Sequence, residues 1–224
     1  MNNTRILSTK ILLSNQKQFL LNAGLALVEA DFIETKPKNF ELTGINNTLL
    51  FTSQNAVEMI LQHPECEALK TKKTFCVGLK TKALLEDNGF QVEAYTGYAE
   101  DLAEIITLVY ADTSYTFFSG NLRRDTLPEK LKEAGIIFNE IKVYETVVTS
   151  QKINSNPEGI LFFSPSGVES YLKENEIKNE VCFCIGTTTA ETLENRNIKN
   201  IVIANQPSVE NVIIQCINYF SPKL

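Results

Sequence analysis

Short, uninterrupted apolar runs recur along the chain and alternate with longer segments of helical pattern. The clearest runs are TLLFTS, TFCVG, YTFFSG, ILFFSP, VCFCIG and NIVIAN. Runs of this kind, without polar alternation, are typical of strands that are buried on both faces of a parallel sheet. Because helices must cover both faces of such a sheet, the pattern predicts an α/β fold with parallel sheets.

The segments between the apolar runs carry signals for helix starts and helix ends. Gly89 and Gly135 are placed to end helices, because an apolar run resumes directly after each glycine. Capping-box patterns, in which a polar residue is followed three positions later by a glutamate, predict helix starts. They occur at Asn55 with Glu58, Thr126 with Glu129, Ser166 with Glu169 and Thr188 with Glu191.

An internal repeat divides the chain. LLFTSQNAVEMIL, which begins at Leu49, matches LFFSPSGVESYL, which begins at Leu161. Further along, CVGLKTKALLE from Cys76 matches CIGTTTAETLE from Cys184 in the same order. The period is too long for a solenoid, so the repeat predicts two similar domains.

Counting the predicted strands shows how the two domains share the chain. The middle region supplies five, around 49–53, 74–78, 92–96, 116–119 and 138–145. The C-terminal region supplies only three, around 160–164, 181–186 and 200–204, whereas the first 35 residues offer two more, RILST and EADFIET. The count therefore predicts a discontinuous lobe made of both ends of the chain.

The expected boundaries are 1–35 with 146–224 for the discontinuous lobe and 37–144 for the inserted lobe, with linkers near 34–38 and 142–148. This arrangement requires Ile6 and Ile160 to lie in the same sheet. The space between two hinged lobes is a common ligand site. Since open parallel sheets bind ligands beyond the carboxyl ends of their strands, we expect the Ser, Thr and Gly loops of both lobes to line it.

Charge and hydropathy limit the partners. The net charge of −6 and an isoelectric point near 5.0 argue against a nucleic-acid binder, which needs a broad basic face. No apolar run approaches the roughly 18 residues of a membrane span, and the N-terminus is too polar for a signal peptide. We expect a cytoplasmic monomer without nucleic-acid or membrane partners.

The five cysteines and the single histidine give no metal-site pattern. The cysteines lack a C-x-x-C motif, which disfavours zinc and thioredoxin-type chemistry. Buried, reduced thiols are the simpler prediction. His63 has no second histidine to join it, so it is predicted to be a surface residue near a helix end.

Several motifs together resemble the uroporphyrinogen-III synthase family. They are FFSGNLRRDTLPEKLKEAGIIFNEIKVYET, ILFFSPSGVESYL, CIGTTTAETL, LLFTSQNAVEMIL and VGLKTKALL, in the family's order across nearly the whole chain. The resemblance implies two flavodoxin-like lobes joined by a two-stranded linker, which agrees with the strand count. The chain departs from the family at Lys10 and Ile11, where many members have Arg-Pro, and at Thr187, where a proline is frequent.

The resemblance also implies a reaction. The family closes the linear tetrapyrrole hydroxymethylbilane to uroporphyrinogen III with inversion of the last pyrrole ring and loss of water, and no cofactor or metal is implied. The substrate carries eight carboxylates. Loops at helix N-termini offer unpaired N–H groups to such anions, and Arg123 and Arg124 would supplement them. The alternative is that one or both arginines are simply solvated on a surface turn.

The resemblance implies site residues too. Tyr144 matches the linker tyrosine of the family, where a phenol can donate a hydrogen bond to the departing hydroxyl; the alternative is an aromatic side chain that packs on the hinge. Thr81, Thr188 and Thr189 match threonines of the family, and they either bind substrate, cap their helices or do both. The residues expected to bind substrate are Thr9, Ser53, Gln54, Asn55, Thr81, Gly120, Asn121, Arg123, Ser164, Ser166, Gly167, Thr188 and Thr189.

Two other function classes remain at this point. A non-catalytic, two-lobed binding module for a small anionic ligand would share the same architecture. An NAD-dependent enzyme is the weaker option, because no G-x-G-x-x-G follows any predicted strand.

Overall fold

The computed structural model describes residues 4–220. The described chain divides into two compact units. The first comprises the residues up to Glu34 together with those from Val147 onward, and the second is Thr35–Thr146.

Strands and helices alternate along nearly the whole chain. In chain order across residues 4–220 the elements are β1 (Arg5–Ser8), α1 (Ser14–Asn22), β2 (Ala26–Glu29), β3 (Ile33–Pro37), β4 (Thr48–Phe51), α2 (Gln54–Leu61), α3 (Cys66–Leu69), β5 (Lys73–Val77), α4 (Leu79–Asp87), β6 (Gln91–Thr96), α5 (Ala99–Val109), β7 (Tyr115–Gly120), α6 (Thr126–Glu133), β8 (Phe138–Val148), β9 (Gly159–Phe162), α7 (Pro165–Glu174), β10 (Val181–Cys184), α8 (Thr187–Glu194), β11 (Ile201–Ile203) and α9 (Val209–Phe220).

The sheet of the first unit joins both ends of the chain. Its order is β11-β10-β9-β1-β2, and its neighbouring strands pair in parallel. Ile6 pairs with Gly159, and Leu7 pairs with Ile160. Ile6 and Ile160 therefore lie on adjacent strands of the same sheet.

The sheet of the second unit has the order β3-β8-β7-β4-β5-β6. The strands from β4 to β8 pair in parallel. The edge pair is antiparallel, because Lys38 N–H donates to the Val143 carbonyl (3.1 Å) and Thr149 N–H donates to the Phe32 carbonyl (3.0 Å). The predicted α/β class with parallel sheets is confirmed.

The two sheets have the same topology after a circular permutation. Reading β9, β10, β11, β1, β2 in the first unit against β4, β5, β6, β7, β8 in the second gives the same neighbours at every position. This correspondence pairs β4–α2 with β9–α7 and β5–α4 with β10–α8, which are the two repeats found in the sequence. The first unit has the flavodoxin-type strand order.

One predicted strand is wrong. EADFIET forms parts of two strands, since β2 ends at Glu29 in the first sheet and β3 begins at Ile33 in the second. The break occurs because the side chains of Glu29 and Asp31 accept hydrogen bonds from the backbone after β1, at 2.7 Å from Leu12 N–H and 2.8 Å from Ile11 N–H. Phe32, between the two strands, is completely buried.

Helix ends follow the glycine prediction. Gly89 and Gly135 lie just beyond α4 and α6 with φ of 85° and 71°. In each case the N–H of the next residue bonds back into the last turn, Phe90 to the Leu85 carbonyl and Ile136 to the Leu131 carbonyl. This is the Schellman arrangement, which needs a left-handed residue that glycine adopts without strain.

Helix starts do not follow the capping-box prediction. The N-cap residues are Ser53 before α2, Asp125 before α6, Ser164 before α7 and Gly186 before α8. Each helix therefore begins one or two residues earlier than the box places it. An N-cap must be non-helical, and Ser53 and Ser164 meet that condition because they continue the extended chain directly from their strands.

The core confirms that the central strands are buried on both faces. Along β4, Leu49 and Phe51 pack on one side and Leu50 on the other; along β9, Ile160 and Leu161 divide in the same way. The five cysteines are free and buried, as predicted. Within the described residues, no helix is both long enough and apolar enough to cross a membrane.

Candidate functional site

The expected binding residues collect at the carboxyl edges of the two sheets. Each lies at the end of a parallel strand, in the loop that follows it, or in the first turn of the next helix. One group follows β1, β9 and β10 in the first unit, and the other follows β4, β5 and β7 in the second. In each sheet the group includes the adjacent strands where the strand order reverses, β1 with β9 and β7 with β4, which is the usual ligand position in open α/β sheets.

Tyr144, on β8, lies against the loop after β4 in the second unit. Its side chain is only 8% exposed, and its hydroxyl lies 3.0 Å from Ser53 Oγ. Ser53 Oγ also accepts the Ala56 N–H at 3.2 Å, as the cap of α2. A hydroxyl has one proton and two acceptor positions, so Ser53 can cap its helix and still donate to the phenol. Tyr144 then keeps its own proton to donate elsewhere.

Gly120 makes room for the Tyr144 ring. A Cβ added at Gly120 would lie 2.3 Å from Tyr144 Cε2 and 2.4 Å from Cζ. Those separations are far below ordinary carbon–carbon contact, so only glycine fits at this position. Gly120 therefore positions the tyrosine.

Arg123 is engaged by carboxylates of the second unit itself. Its guanidinium donates to both oxygens of Glu140 at 2.6 and 2.9 Å and also contacts Asp125. Ser119 Oγ donates to the same Glu140 at 2.5 Å. The hydrogen bonds from Arg123 hold the pKa of Glu140 below its usual value. Arg123 consequently fixes the loop after β7.

Asn121 fastens the same loop to β8. Its side-chain amide donates to the Thr146 carbonyl at 3.2 Å, and its side-chain oxygen accepts the Thr146 N–H at 2.7 Å. Both polar atoms of the side chain therefore bond to the backbone of a neighbouring strand. Like Arg123, Asn121 supports the loop that carries it.

A cavity of about 300 Å³ opens beside these residues within the second unit. Its lining includes Ser53, Tyr98, Arg123, Arg124, Leu127 and Tyr144. Sequence reasoning did not assign Tyr98 to a site. The available signal was its position in the two-residue loop between β6 and α5, as the N-cap of α5.

The first unit has a matching but smaller arrangement around Ser164. Ser164 Oγ accepts the Gly167 N–H at 3.1 Å and lies 3.1 Å from Ser166 Oγ. Thr9 is buried, and its Oγ1 donates to the Leu161 carbonyl at 2.7 Å. A Cβ on Gly167 would approach Ser164 Oγ to 3.3 Å, so glycine keeps this turn compact.

The threonines at the starts of α4 and α8, which are Thr81, Thr188 and Thr189, fall into two classes. Thr81 and Thr189 occupy equivalent positions in the first turns of α4 and α8 and are only 4% and 1% exposed. Thr188 is half-exposed. Thr188 therefore can reach a ligand, whereas Thr81 and Thr189 mainly fill the space beneath their helix starts.

The remaining polar residues lie near the start of α2. Gln54 is exposed, and Asn55 is half-buried with its amide donating to Thr35 Oγ1 at 3.3 Å.

His63 is half-buried rather than on the open surface, because it stacks on Phe40 with ring centroids 5.0 Å apart. Among residues 4–220, no three His, Cys, Asp or Glu side chains gather as a metal site requires.

The fold and the site define a class: an α/β protein of two similar parallel-sheet units, with hydroxyl-rich helix starts at the carboxyl edge of each. Residues 17–214 match the sequence model of the family described as uroporphyrinogen-III synthase HemD. The chain belongs to this family, whose members are cyclising lyases of tetrapyrrole biosynthesis. The predicted family and the predicted enzyme class are confirmed.

Individual relatives agree with the family assignment. Uroporphyrinogen-III synthase of Chlorobaculum parvum is 28% identical over 177 residues, which cover 69% of this chain and 72% of the relative. The Saccharomyces cerevisiae protein of the same name is 25% identical over 203 residues, covering 75% and 74%.

Solved structures show the same fold. The crystal structure of uroporphyrinogen-III synthetase from Helicobacter pylori matches with a TM-score of 0.74 at 22% identity and covers 96% of this chain and 99% of that one. A mutant uroporphyrinogen III synthase from Thermus thermophilus matches with a TM-score of 0.66 at 12% identity, covering 96% and 98%.

Proposed function

We propose that this chain closes hydroxymethylbilane to uroporphyrinogen III, with inversion of the terminal pyrrole ring and loss of water. Family membership supports the reaction class. The observation that carries the proposal for the site is the environment of Tyr144, whose buried phenol bonds to Ser53 and lines the cavity at the carboxyl edge. A weak acid held in that position suits a reaction that begins with the departure of a hydroxyl group.

The proposed chemistry needs one proton donor and a fixed substrate conformation. Tyr144 donates its phenol proton to the hydroxymethyl oxygen as the C–O bond breaks, so that water leaves. The pyrrole nitrogen lone pair forms the C=N bond of an azafulvenium cation. The substituted carbon of the terminal ring attacks this cation and gives a spiro intermediate. Fragmentation and reclosure of that intermediate then invert the ring, and the proton lost from the newly bonded ring carbon restores the phenol of Tyr144.

Positioning contributes most of the selectivity. The same cation also closes without inversion when no enzyme is present, so the protein must favour one of two available geometries. Interactions that hold the reacting carbons together in the required arrangement lower only that barrier. The tightly fixed Tyr144 is suited to this task because its ring is confined by Gly120 and its hydroxyl by Ser53.

The expected binding residues divide into two roles under this proposal. Exposed and half-exposed groups at helix starts, Gln54, Asn55, Ser166 and Thr188, bind substrate carboxylates together with backbone N–H groups. Residues that are buried, or whose side chains anchor the loop or helix start that carries them, hold those loops in place. The second set comprises Thr9, Ser53, Thr81, Gly120, Asn121, Arg123, Ser164, Gly167 and Thr189.

We further propose a cytoplasmic monomer. The five free cysteines suit a reducing compartment. A solution mass near 25.1 kDa by light scattering would agree with a monomer.

The deciding experiment is incubation with freshly generated hydroxymethylbilane and separation of the type I and type III isomers. The wild-type protein should shift the product to type III, whereas the heat-denatured protein should give the type I isomer of the spontaneous reaction. A non-catalytic binding module would give type I in both samples and would overturn the proposal.

A further inference from the structure

Tyr98 is an exposed aromatic residue that the proposed reaction leaves unused. Its side chain is 65% exposed and lines the cavity that also contains Tyr144. The backbone around it is fixed, because Thr96 Oγ1 donates to the Tyr98 carbonyl at 2.7 Å and α5 begins at the next residue. A large ring is therefore held at the cavity mouth without being part of the core.

Other apolar side chains are exposed at the same edge of the second sheet. Leu79 follows β5 and is 67% exposed, and Leu122 follows β7 and is 56% exposed. With Tyr98 after β6, the loops after three neighbouring or near-neighbouring strands each present apolar surface. Exposed apolar groups on the loops at one edge of a sheet are characteristic of ligand sites.

Arg124 is a second arginine in the cavity lining. Arg124 is exposed and lines the cavity beside Arg123. The guanidinium of Arg123 is directed to Glu140 and Asp125 and so holds the loop. Arg124 is on the same loop, and its guanidinium adds positive charge to the cavity lining, which suits an anionic ligand.

We propose that this cavity is a subsite for one acidic pyrrole ring of the linear tetrapyrrole, with Tyr98 packed on the ring face and Arg124 bonded to an acetate or propionate carboxylate. The ligand class rests on the proposed function. The volume of about 300 Å³ lies at the lower end of ligand pockets, which suits one substituted ring rather than the whole substrate. Offset stacking of flat rings and guanidinium–carboxylate pairing are the matching interactions.

The subsite can be tested with a fragment of the substrate. The probe is a monopyrrole with one acetate and one propionate side chain, titrated into the full chain and followed by NMR. Removing the ring in Tyr98→Ala should raise the dissociation constant about tenfold, the upper range for an aromatic pair. Tyr98→Phe should stay within about twofold of wild type, since it keeps the ring. Arg124→Gln should weaken binding and reduce its salt dependence.

Two further variants separate stacking from general effects. Tyr98→Leu keeps apolar surface without a planar face, so it should bind more like Tyr98→Ala than like Tyr98→Phe. Tyr95→Ala is the matched control, because Tyr95 is 45% exposed on β6 and lies under Lys82 instead of lining the cavity. Its affinity for the probe should equal that of the wild type.

Turnover then distinguishes a failed subsite from a failed function. In the isomer assay Tyr98→Ala should raise the KM for hydroxymethylbilane with little change in kcat. This is expected because the lost contact binds the substrate and the transition state equally well. Wild-type production of type III with an unchanged KM and probe affinity in Tyr98→Ala would overturn the subsite and leave the function standing. If the wild type made only type I, the function would fail, and the fragment titration alone would decide whether the cavity binds acidic pyrroles.

Discussion

Gly120→Ala is the sharpest test of how the protein positions Tyr144. The added Cβ would lie 2.3 Å from Tyr144 Cε2, and reaching the 3.4 Å of ordinary contact requires about 1.1 Å of movement. The ring cannot move freely, because Tyr144 packs in a buried cluster with Val143, Phe118 and Phe51. The substitution must therefore strain the core or displace the phenol.

Both outcomes have expected magnitudes. Overpacking a core by one methyl group typically lowers the free energy of unfolding by about 1–3 kcal/mol. A displacement near 1 Å would also break the 3.0 Å bond between Tyr144 and Ser53, and a misplacement of that size can slow an enzyme about 10²-fold. We expect loss of stability together with a large loss of rate.

The measurements are urea denaturation and the rate of type III formation. A double-mutant cycle supplies the control, because removing the ring in Tyr144→Ala also removes the clash. In that background, Gly120→Ala should cost nothing or should stabilise by filling part of the space. Wild-type stability and rate in the Gly120→Ala protein, or equal costs in both backgrounds, would show that the ring does not lie against Gly120.

Four other substitutions have distinct expectations. Tyr144→Phe should reduce the rate of type III formation toward the lower end of the roughly 10²- to 10⁴-fold range for a general acid; a folded but wholly inactive protein would contradict the positioning account. Because Arg123 lowers the pKa of Glu140, their pairing stabilises the fold above the normal carboxyl pKa and is lost as the pH falls. Glu140→Gln should therefore destabilise by about 1.5–3 kcal/mol at pH 7 and progressively less below about pH 4 in thermal melts; a pH-independent difference would refute this. Loss of an N-cap in Ser164→Ala should destabilise by about 1 kcal/mol, and Ser53→Ala should destabilise more, with the excess vanishing in a Tyr144→Phe background.

The central strands could be predicted from sequence because burial on both faces leaves an unmistakable run of apolar residues. Strand β2, Ala26–Glu29, was missed for the opposite reason. All four of its residues are only half-buried at the sheet edge, and its last residue is a glutamate that bonds to a loop. An edge strand of this kind has no strong pattern of its own.

The helix starts and the ion pair of Arg123 could not be predicted from the local sequence. Ser53 and Ser164 cap their helices because the strand backbone remains extended at those residues, and a capping-box pattern alone cannot locate that boundary. Binding of substrate by Arg123 stays a prediction, whereas its ion pair with Glu140 was not predicted and forms because β7 and β8 are sheet neighbours. Pairing across strands is not encoded in the local sequence.

The pairing of β1 with β9 sets an order of events during synthesis. At about 5–20 residues per second, roughly 8–30 s separate the emergence of Ile6 from that of its partner Gly159. The second unit, which is contiguous, has all its strands before β9 exists and can complete its fold first. Until then, β1 and β2 form an open edge with an apolar central strand, and such edges are prone to wrong pairing. Slow translation near the middle of the chain would prolong that exposure.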